Sequence, residues 1–188
     1  MRVVGGRLRG RALVTPKDDA VRPTSDRVRE AVFNILEHGV NDFAIEGINV
    51  LDLFAGTGAL GIEALSRGAA QGVFVENAAA SRALLQENFQ ALGLGGVATI
   101  FRRSAVDLGA AYRKLSFGLV FADPPYGNRL AEQAIAAAID NGWLSDGAVI
   151  VIEERADVEL AWPTTCTEID RRTYGGTQVA IGRYDVVA

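Results

Sequence analysis

The sequence predicts an α/β fold in which a doubly wound, mainly parallel sheet carries an antiparallel hairpin at one edge. Five short runs rich in Val, Ile, Leu and Phe alternate with helical stretches. The runs are apolar on both faces, as parallel strands are when helices cover both sides of the sheet. The last two strands have no helix between them and are joined by a tight turn at Gly175 and Gly176.

The size and composition are those of an ordinary globular protein. The chain has 188 residues, of which 49% are hydrophobic and 22% charged, enough for one domain with a full core. No apolar run reaches the roughly 18 residues of a membrane span, and the N-terminus lacks the apolar segment of a secretory signal. The single cysteine, Cys166, has no disulfide partner and no neighbour at metal-ligand spacing. We expect a cytoplasmic protein without a metal site.

The N-terminus is basic, whereas the rest of the chain is acidic. Residues 1–17 hold five basic residues and no acidic one, although the whole chain has a net charge of −4. Gly5-Gly6 predicts a two-residue turn between two short strands. Period-2 alternation then places three basic side chains on one face, opposite Leu8: Arg7, Arg9 and Arg11. We expect a basic hairpin arm over residues 1–20, followed by a larger domain over 21–188, and a polyanionic partner for the arm.

The helices are predicted from caps and apolar spacing. Thr24 or Ser25 can cap a first helix that Gly39 ends. Its apolar residues fall at helical spacing: Val28, Val32, Ile35 and Leu36. From Asn49 the strand runs are NVLDLF, GVFVEN, VATIF, FGLVFA and GAVIVIE. The helical stretches between and beside them are residues 60–67, 79–92, 105–115 and 130–141. Right-handed crossovers then place a ligand crevice at the carboxyl ends of the strands.

A glycine loop follows the first of these strands. Gly56, Gly58 and Gly61 fit the pattern G-x-G-x-x-G between a strand and a helix, and Glu76 ends the next strand. The first two glycines allow a sharp turn and close approach of a ligand, and the third lets the helix pack against the strand. Glu76 can accept hydrogen bonds from both hydroxyls of a ribose.

Two chemistries share this glycine loop. A dinucleotide places its pyrophosphate at the helix N-terminus, and S-adenosylmethionine places its methionine part there. Asp52, four residues before Gly56, favours the second, since an acid can hold an ammonium group and would repel a pyrophosphate. On these residues alone, the loop indicates a ligand that carries a nucleoside.

The stretch LVFADPPYGN places polar and rigid groups at the end of a buried strand. An exocyclic amine of a nucleobase is a poor nucleophile. The Asp123 carboxylate and the Pro124 carbonyl could each accept a hydrogen bond from one of its two N–H groups. These bonds would draw the nitrogen towards tetrahedral geometry and aim its lone pair at a methyl sulfonium. Pro125 restricts Pro124 and so holds that carbonyl rigidly. Tyr126 offers a ring on which a flipped-out base can stack.

Together, LDLFAGTGALG, FVEN and DPPY resemble class I S-adenosylmethionine-dependent methyltransferases that act on exocyclic amino groups. The N-terminal RVVGGRLRGRAL and RPTSDRVREAVFNIL resemble one branch of them, the bacterial RsmD-type 16S rRNA guanine-N2 methyltransferases. The resemblance extends from about Arg2 to the closing YGGTQVAIGRYD, which is essentially the whole chain.

This resemblance implies a seven-stranded, Rossmann-like sheet whose last strand is inserted antiparallel. It implies transfer of one methyl group from S-adenosylmethionine to N2 of a guanine in 16S rRNA, within an assembling small ribosomal subunit. We expect a monomer that needs no membrane. The catalytic residues implied are Asp123, Pro124, Pro125 and Tyr126. The cofactor-binding residues implied are Arg22, Pro23, Thr24, Asp52, Phe54, Ala55, Gly56, Thr57, Gly58, Glu76, Asn77, Ser104, Ala105 and Asp123, and the RNA-binding residues are Arg7, Arg9 and Arg11.

The residues by themselves leave other functions open. Adenine N6 poses the same chemical problem as guanine N2, so a DNA or RNA adenine methyltransferase fits the motif, as does an enzyme acting on a protein side-chain amide. An oxidoreductase would use the glycine loop but leave the run from Asp123 to Tyr126 unexplained. A non-catalytic RNA-binding assembly factor would retain the fold without needing that run.

Overall fold

A computed structural model describes residues 1–16, 26–111, 115–125 and 129–186. The sheet has seven strands in the order β3-β2-β1-β4-β5-β7-β6. Their bounds are β1 Asn49–Asp52, β2 Gln71–Val75, β3 Ala98–Phe101, β4 Phe117–Ala122, β5 Leu144–Arg155, β6 Cys166–Tyr174 and β7 Thr177–Tyr184. The first five strands are parallel, and β7 lies antiparallel between β5 and β6. The predicted doubly wound sheet with an inserted antiparallel last strand is confirmed.

Within the residues that the structure describes, four α-helices cover the sheet: α1 Asp26–His38, α2 Ala59–Ser66, α3 Ala79–Leu92 and α4 Leu130–Asp140. Successive strand residues point to opposite faces, and they enter two separate apolar cores. Helices α1, α2 and α3 pack in one core with Val50, Leu119 and Phe121. Helix α4 packs in the other with Leu51 and Val120. In the described part of the chain, none of the helices has the length and apolar character needed to traverse a bilayer.

The sheet reverses its winding direction between β1 and β4. Strands β2 and β3 follow β1 on one side, and β5 follows β4 on the other. Residues that leave the carboxyl ends of β1 and β4 therefore diverge around a crevice, which is where doubly wound folds bind ligands. The predicted end of the fourth strand at Ala122 is confirmed.

The predicted helix over residues 105–115 is wrong where the structure describes it. Residues 102–111 form turns, bends and irregular chain between β3 and β4. Ala105 and Leu108 are buried, which explains the apolar spacing. Gly109 has φ +64°, and its carbonyl accepts a 2.8 Å hydrogen bond from Trp143 Nε1. A tertiary hydrogen bond and a left-handed glycine thus replace the helix here.

The predicted two-residue turn at Gly5-Gly6 is also wrong. One antiparallel bridge joins Arg2 to Ala12, so the chain does reverse, but the connection is wide and contains a 3-10 turn over Gly6–Leu8. The two glycines serve close packing instead. A Cβ on Gly6 would lie 2.0 Å from the carbonyl oxygen of Ser66 at the end of α2. Leu8 is buried, while the basic residues around it are exposed as expected: Arg7, Arg9 and Arg11.

The N-terminal segment packs on the body of the protein. Val3, Leu8 and Leu13 are buried in the same core as α1, α2 and α3. The proposed division between an arm and a larger domain at residue 20 falls outside the described residues and stays a prediction. The expected helix cap at Thr24 or Ser25 lies outside them too.

Candidate cofactor and substrate site

A cavity of about 620 Å³ opens where β1, β2, β3 and β4 end. It brings together site residues that the sequence predicted from four separate stretches of chain. They are Asp52, Phe54, Ala55, Gly56, Thr57, Glu76, Asn77, Ser104, Ala105, Asp123, Pro124 and Pro125. The volume is within the range of small-molecule and cofactor sites.

The glycines of the loop after β1 have different surroundings. Gly56 lines the cavity with φ +54°, and the nearest atom to a Cβ there would be the Phe54 carbonyl oxygen at 4.0 Å. Gly58 begins α2 with φ +82°, and its Cβ would lie 2.6 Å from a methyl group of Leu85. Gly58 is therefore buried behind the loop, whereas Gly56 leaves open space beside the backbone.

Gly61 allows α2 to approach the sheet closely, as the spacing predicted. A Cβ at this position would lie 2.4 Å from the ring of Phe74 on β2. The Gly61 N–H donates a 3.1 Å hydrogen bond to Oδ2 of Asp52. The last residue of β1 is thereby joined to the first turn of the helix.

Burial changes the acidity of Asp52. Only 2% of Asp52 is exposed, and burial raises the pKa of its carboxyl to about 7. That pKa already includes a smaller increase from the nearby charge of Glu76 and decreases from hydrogen bonds donated by the backbone of Gly61 and Phe54. A cation placed beside this carboxyl would favour its ionised form.

Glu76 joins the glycine loop to the end of β2. Its Oε2 accepts a 3.0 Å hydrogen bond from the Gly56 N–H, and its Oε1 accepts a 2.7 Å bond from the Ala78 N–H. Each carboxylate oxygen has two acceptor positions, so each keeps one for a ligand hydroxyl. The backbone bonds hold the carboxylate in place at the cavity wall.

Asp123 and Pro124 follow β4 directly and line the same cavity. Asp123 is half-buried, Pro124 is buried and Pro125 is exposed. The remaining member of this run, Tyr126, lies outside the described residues. So do three residues predicted for the cofactor's methionine end: Arg22, Pro23 and Thr24. Their roles stay predictions.

The sequence did not indicate several residues of the cavity wall. Arg103 follows β3, and its guanidinium lies 5.4 Å from the ring centroid of Phe101. Its position immediately before Ser104 could have indicated it. Met1 and Pro16 also line the cavity. Only tertiary packing brings the N-terminal segment here, so no local pattern marks these two residues.

Comparisons with known proteins agree with this architecture. The family described as "Conserved hypothetical protein 95" matches residues 1–183. "Ribosomal RNA small subunit methyltransferase D" of Escherichia coli is 40% identical over 164 residues, 87% of this chain and 78% of that protein. The protein of the same name from Haemophilus influenzae is 36% identical over 93% of this chain and 89% of its own length. The solved structure of the Escherichia coli protein yhhF has a TM-score of 0.83 and 34% identity, with 98% of each chain covered.

Proposed function

The chain belongs to the conserved hypothetical protein 95 family, that of the RsmD-type ribosomal RNA methyltransferases, and on that premise we propose its donor and its target. The donor is S-adenosylmethionine, and the target is the exocyclic N2 of a guanine in 16S rRNA. The substrate is the assembling small ribosomal subunit, met in the cytoplasm.

The residues of the cavity fit S-adenosylmethionine. Gly56 leaves open the space that a side chain would fill, so the backbone can lie against the ligand. Asp52 is suited to the ammonium group, and Glu76 keeps two acceptor positions for the ribose hydroxyls. Ser104 and Ala105 flank the adenine. When bound, S-adenosylmethionine supplies an electrophilic methyl group on a sulfonium.

The acceptors at the end of β4 act on the guanine. The Asp123 carboxylate and the Pro124 carbonyl each accept a hydrogen bond from one N–H group of N2. The lone pair of the nitrogen is thereby withdrawn from the ring and aimed at the methyl carbon. As the new N–C bond forms, the bond between the methyl carbon and sulfur would break and leave neutral S-adenosylhomocysteine. N2 would then carry a positive charge and lose a proton, which Asp123 is placed to take. Tyr126 stacks on the base. Catalysis is mainly alignment and electrostatic stabilisation.

One observation supports this proposal above the others. Asp123 and Pro124 line the same cavity as the glycine loop and Glu76, although about 50 to 70 residues separate them in the sequence. A dinucleotide oxidoreductase would need the loop and the acid but would have no use for the acceptors after β4. The family membership favours rRNA over DNA as the substrate.

The test is to incubate the protein with methyl-labelled S-adenosylmethionine and one of three substrates: small ribosomal subunits lacking the modification, naked 16S rRNA, or DNA. The modified nucleoside is then identified by mass spectrometry. We expect N2-methylguanosine from the subunits, and less or none from naked rRNA and DNA. Label in N6-methyladenine would contradict the proposed target, and label in DNA alone would contradict the proposed substrate.

A further inference from the structure

A buried cluster of charged side chains lies between the N-terminal segment, α1 and α2, away from the lining of the cavity. Glu63 on α2 and Arg29 on α1 have no side-chain exposure, and Arg67 is 10% exposed. Arg67 Nε lies 2.9 Å from Glu63 Oε1, and Arg29 Nε lies 3.5 Å from Oε2. Two guanidinium groups thus flank one buried carboxylate that the proposed reaction does not use.

This carboxylate also binds the backbone of the N-terminal segment. Its Oε2 accepts a 2.8 Å hydrogen bond from the Val4 N–H, and its Oε1 accepts a 2.7 Å bond from the Gly5 N–H. One turn further along α2, Ser66 Oγ accepts a 2.9 Å bond from the Leu8 N–H and donates a 2.6 Å bond to the Gly5 carbonyl. Four hydrogen bonds between side chains of α2 and the backbone of the segment therefore fix residues 4–8.

The backbone of this segment packs directly against the C-terminal end of α2. Gly6 has φ +69°, and a Cβ there would overlap the Ser66 carbonyl. A Cβ on Gly5 would lie 2.3 Å from the guanidinium of Arg67. We call residues 4–10 the arginine loop, because the fixed backbone carries Arg7 and Arg9 on its outer side.

The arginines of this loop are available to a ligand. Arg7 and Arg9 are exposed, and within the described residues neither has an ion-pair partner. Arg11, just beyond the loop, is exposed too, and its Nη2 donates to the Ala91 carbonyl at 2.7 Å. Exposed guanidinium groups are suited to phosphate oxygens.

Stability alone is a weak reason for the buried cluster. Apolar side chains of similar volume commonly replace a buried ion pair without loss of stability. An apolar residue at position 63 could not accept the N–H groups of Val4 and Gly5, however. The specific contribution of Glu63 is therefore the position of the loop relative to α2, and α2 begins at the glycine loop of the cavity.

We propose that Glu63 and Ser66 are positioning residues, which hold the arginine loop so that Arg7 and Arg9 bind phosphates of the RNA that flanks the target guanine. The proposal rests on the proposed function. The eight residues of α2 span about 12 Å, so the loop is separated from the cavity by roughly that distance. The arginines accordingly contact flanking nucleotides and leave the target nucleotide to the cavity.

The test is a double-mutant cycle on RNA binding, read as its dependence on salt. In Arg7→Gln with Arg9→Gln, the slope of log K against log salt concentration should become shallower by about 1.4 to 1.8, since each phosphate contact contributes roughly 0.7 to 0.9. Glu63→Gln should reduce the slope in the same direction and raise KM for the ribosomal substrate, with an unchanged Kd for S-adenosylmethionine. In the triple variant, Glu63→Gln should have no further effect, because the residues through which it acts are gone.

Two further variants keep the test decisive. Ser66→Ala removes two of the four hydrogen bonds and leaves the buried charges intact, so it decides the question where Glu63→Gln does not fold. Glu154→Gln removes a carboxylate that is equally buried on β5 and is not bonded to the arginine loop, and it should leave the salt slope unchanged. The proposal is overturned if Glu63→Gln and Ser66→Ala lower thermal stability without changing the salt slope. It is also overturned if either variant still weakens RNA binding by its full factor in Kd when Arg7 and Arg9 have already been replaced. A wild-type protein that binds rRNA but methylates no guanine would instead contradict the proposed function.

Discussion

The two ends of α2 meet glycine-rich segments in opposite ways. At its N-terminal end, Gly56 faces open space at the cavity wall. At its C-terminal end, Gly6 lies against the Ser66 carbonyl with no room for a Cβ. Both glycines have positive φ, +54° and +69°. The same residue type thus leaves cavity space open at one end and lets the protein's own backbone pack closely at the other.

A glycine pattern therefore predicts a function only together with the residues around it. Gly56 lies between a buried strand and a helix, with an acid after the next strand, and the structure does place a cavity beside these residues. Gly5-Gly6 lies between two short runs of alternating polar and apolar residues, a pattern that is typical of a β-hairpin. Nothing local shows that Ser66 and Arg67, some sixty residues later in the chain, will pack against it.

Substitution of Asp123 should have the strongest effect, and it should lower the rate of methyl transfer without changing cofactor binding. Asp123→Ala removes one of two proposed acceptors of the guanine amine, and we expect methyl transfer to fall by about 10²–10³-fold or more. The Kd for S-adenosylmethionine should change little. Rates from single-turnover methylation and Kd values from calorimetry measure the two effects. Asp140→Ala, at an exposed site at the end of α4, is the matched control. Normal turnover by Asp123→Ala would remove Asp123 from the mechanism.

Substitution of Gly6 tests the packed end of α2. Gly6→Ala must accommodate a side chain 2.0 Å from a backbone oxygen and also adopt a left-handed conformation that costs about 1–2 kcal/mol. We expect the arginine loop to leave α2, with a drop in thermal stability of several degrees and weaker RNA binding. Gly10→Ala is the matched control, because Gly10 has φ +83° in the same segment with nothing within 4 Å of a Cβ. Equal losses in both variants would show that backbone strain, and not contact with α2, determines the result.

Substitution of Gly56 tests the open end. A methyl group here meets no protein atom closer than 4.0 Å, so the fold should lose only the roughly 1–2 kcal/mol of a left-handed alanine. The methyl group takes up cavity space, and we expect affinity for S-adenosylmethionine to fall about tenfold while RNA binding persists. Gly47→Ala imposes similar strain at φ +76° in open space away from the cavity. Calorimetry that gave the two variants the same Kd would mean that Gly56 does not adjoin the ligand.

The smallest expected effect is a pH dependence at Asp52. Burial raises the pKa of this carboxyl to about 7, so it is protonated below that pH and ionised above it. An ammonium group needs the ionised form and itself stays protonated up to about pH 7.7. Affinity for S-adenosylmethionine should therefore rise between about pH 5.5 and 7, by at most tenfold per pH unit.

The control for this effect is Asp52→Asn, which keeps an oxygen for the Gly61 N–H but cannot be ionised. Its affinity should be weak and nearly independent of pH over the same interval. A wild-type affinity as flat as that of the variant would exclude an Asp52–ammonium contact.

Much of the fold followed from local pattern because the local and tertiary signals agree. Helix α3 has the predicted bounds of residues 79–92, where apolar spacing and the terminal Gly93 indicate the same element. The end of β4 at Ala122 was predicted because Asp123 and two prolines cannot continue a central strand. The helix predicted over residues 105–115 is wrong in the described part, residues 105–111, because tertiary contacts and not a helix bury the apolar side chains there.

The residues of the candidate site also fall into those that the sequence predicted and those that it did not. Residues that end strands are marked by their position in the chain, and so Asp52, Glu76, Ser104 and Asp123 were predicted and do line one cavity. Met1 and Pro16 reach it because tertiary contacts hold the N-terminal segment, among them hydrogen bonds of Glu63 and Ser66 with residues 4–8 and of Asn88 with Val14. A buried ion pair such as that between Glu63 and Arg29 cannot be predicted from the sequence, because charged residues on a helix usually face water.

A crystal structure with S-adenosylhomocysteine, the product of the donor, shows directly whether the cavity holds the donor beside Asp123. We expect its ribose hydroxyls on Glu76, its ammonium group near Asp52 and its sulfur facing Asp123 across space sufficient for a purine. A ligand bound elsewhere, or an Asp123 carboxylate turned away from that space, would contradict the account.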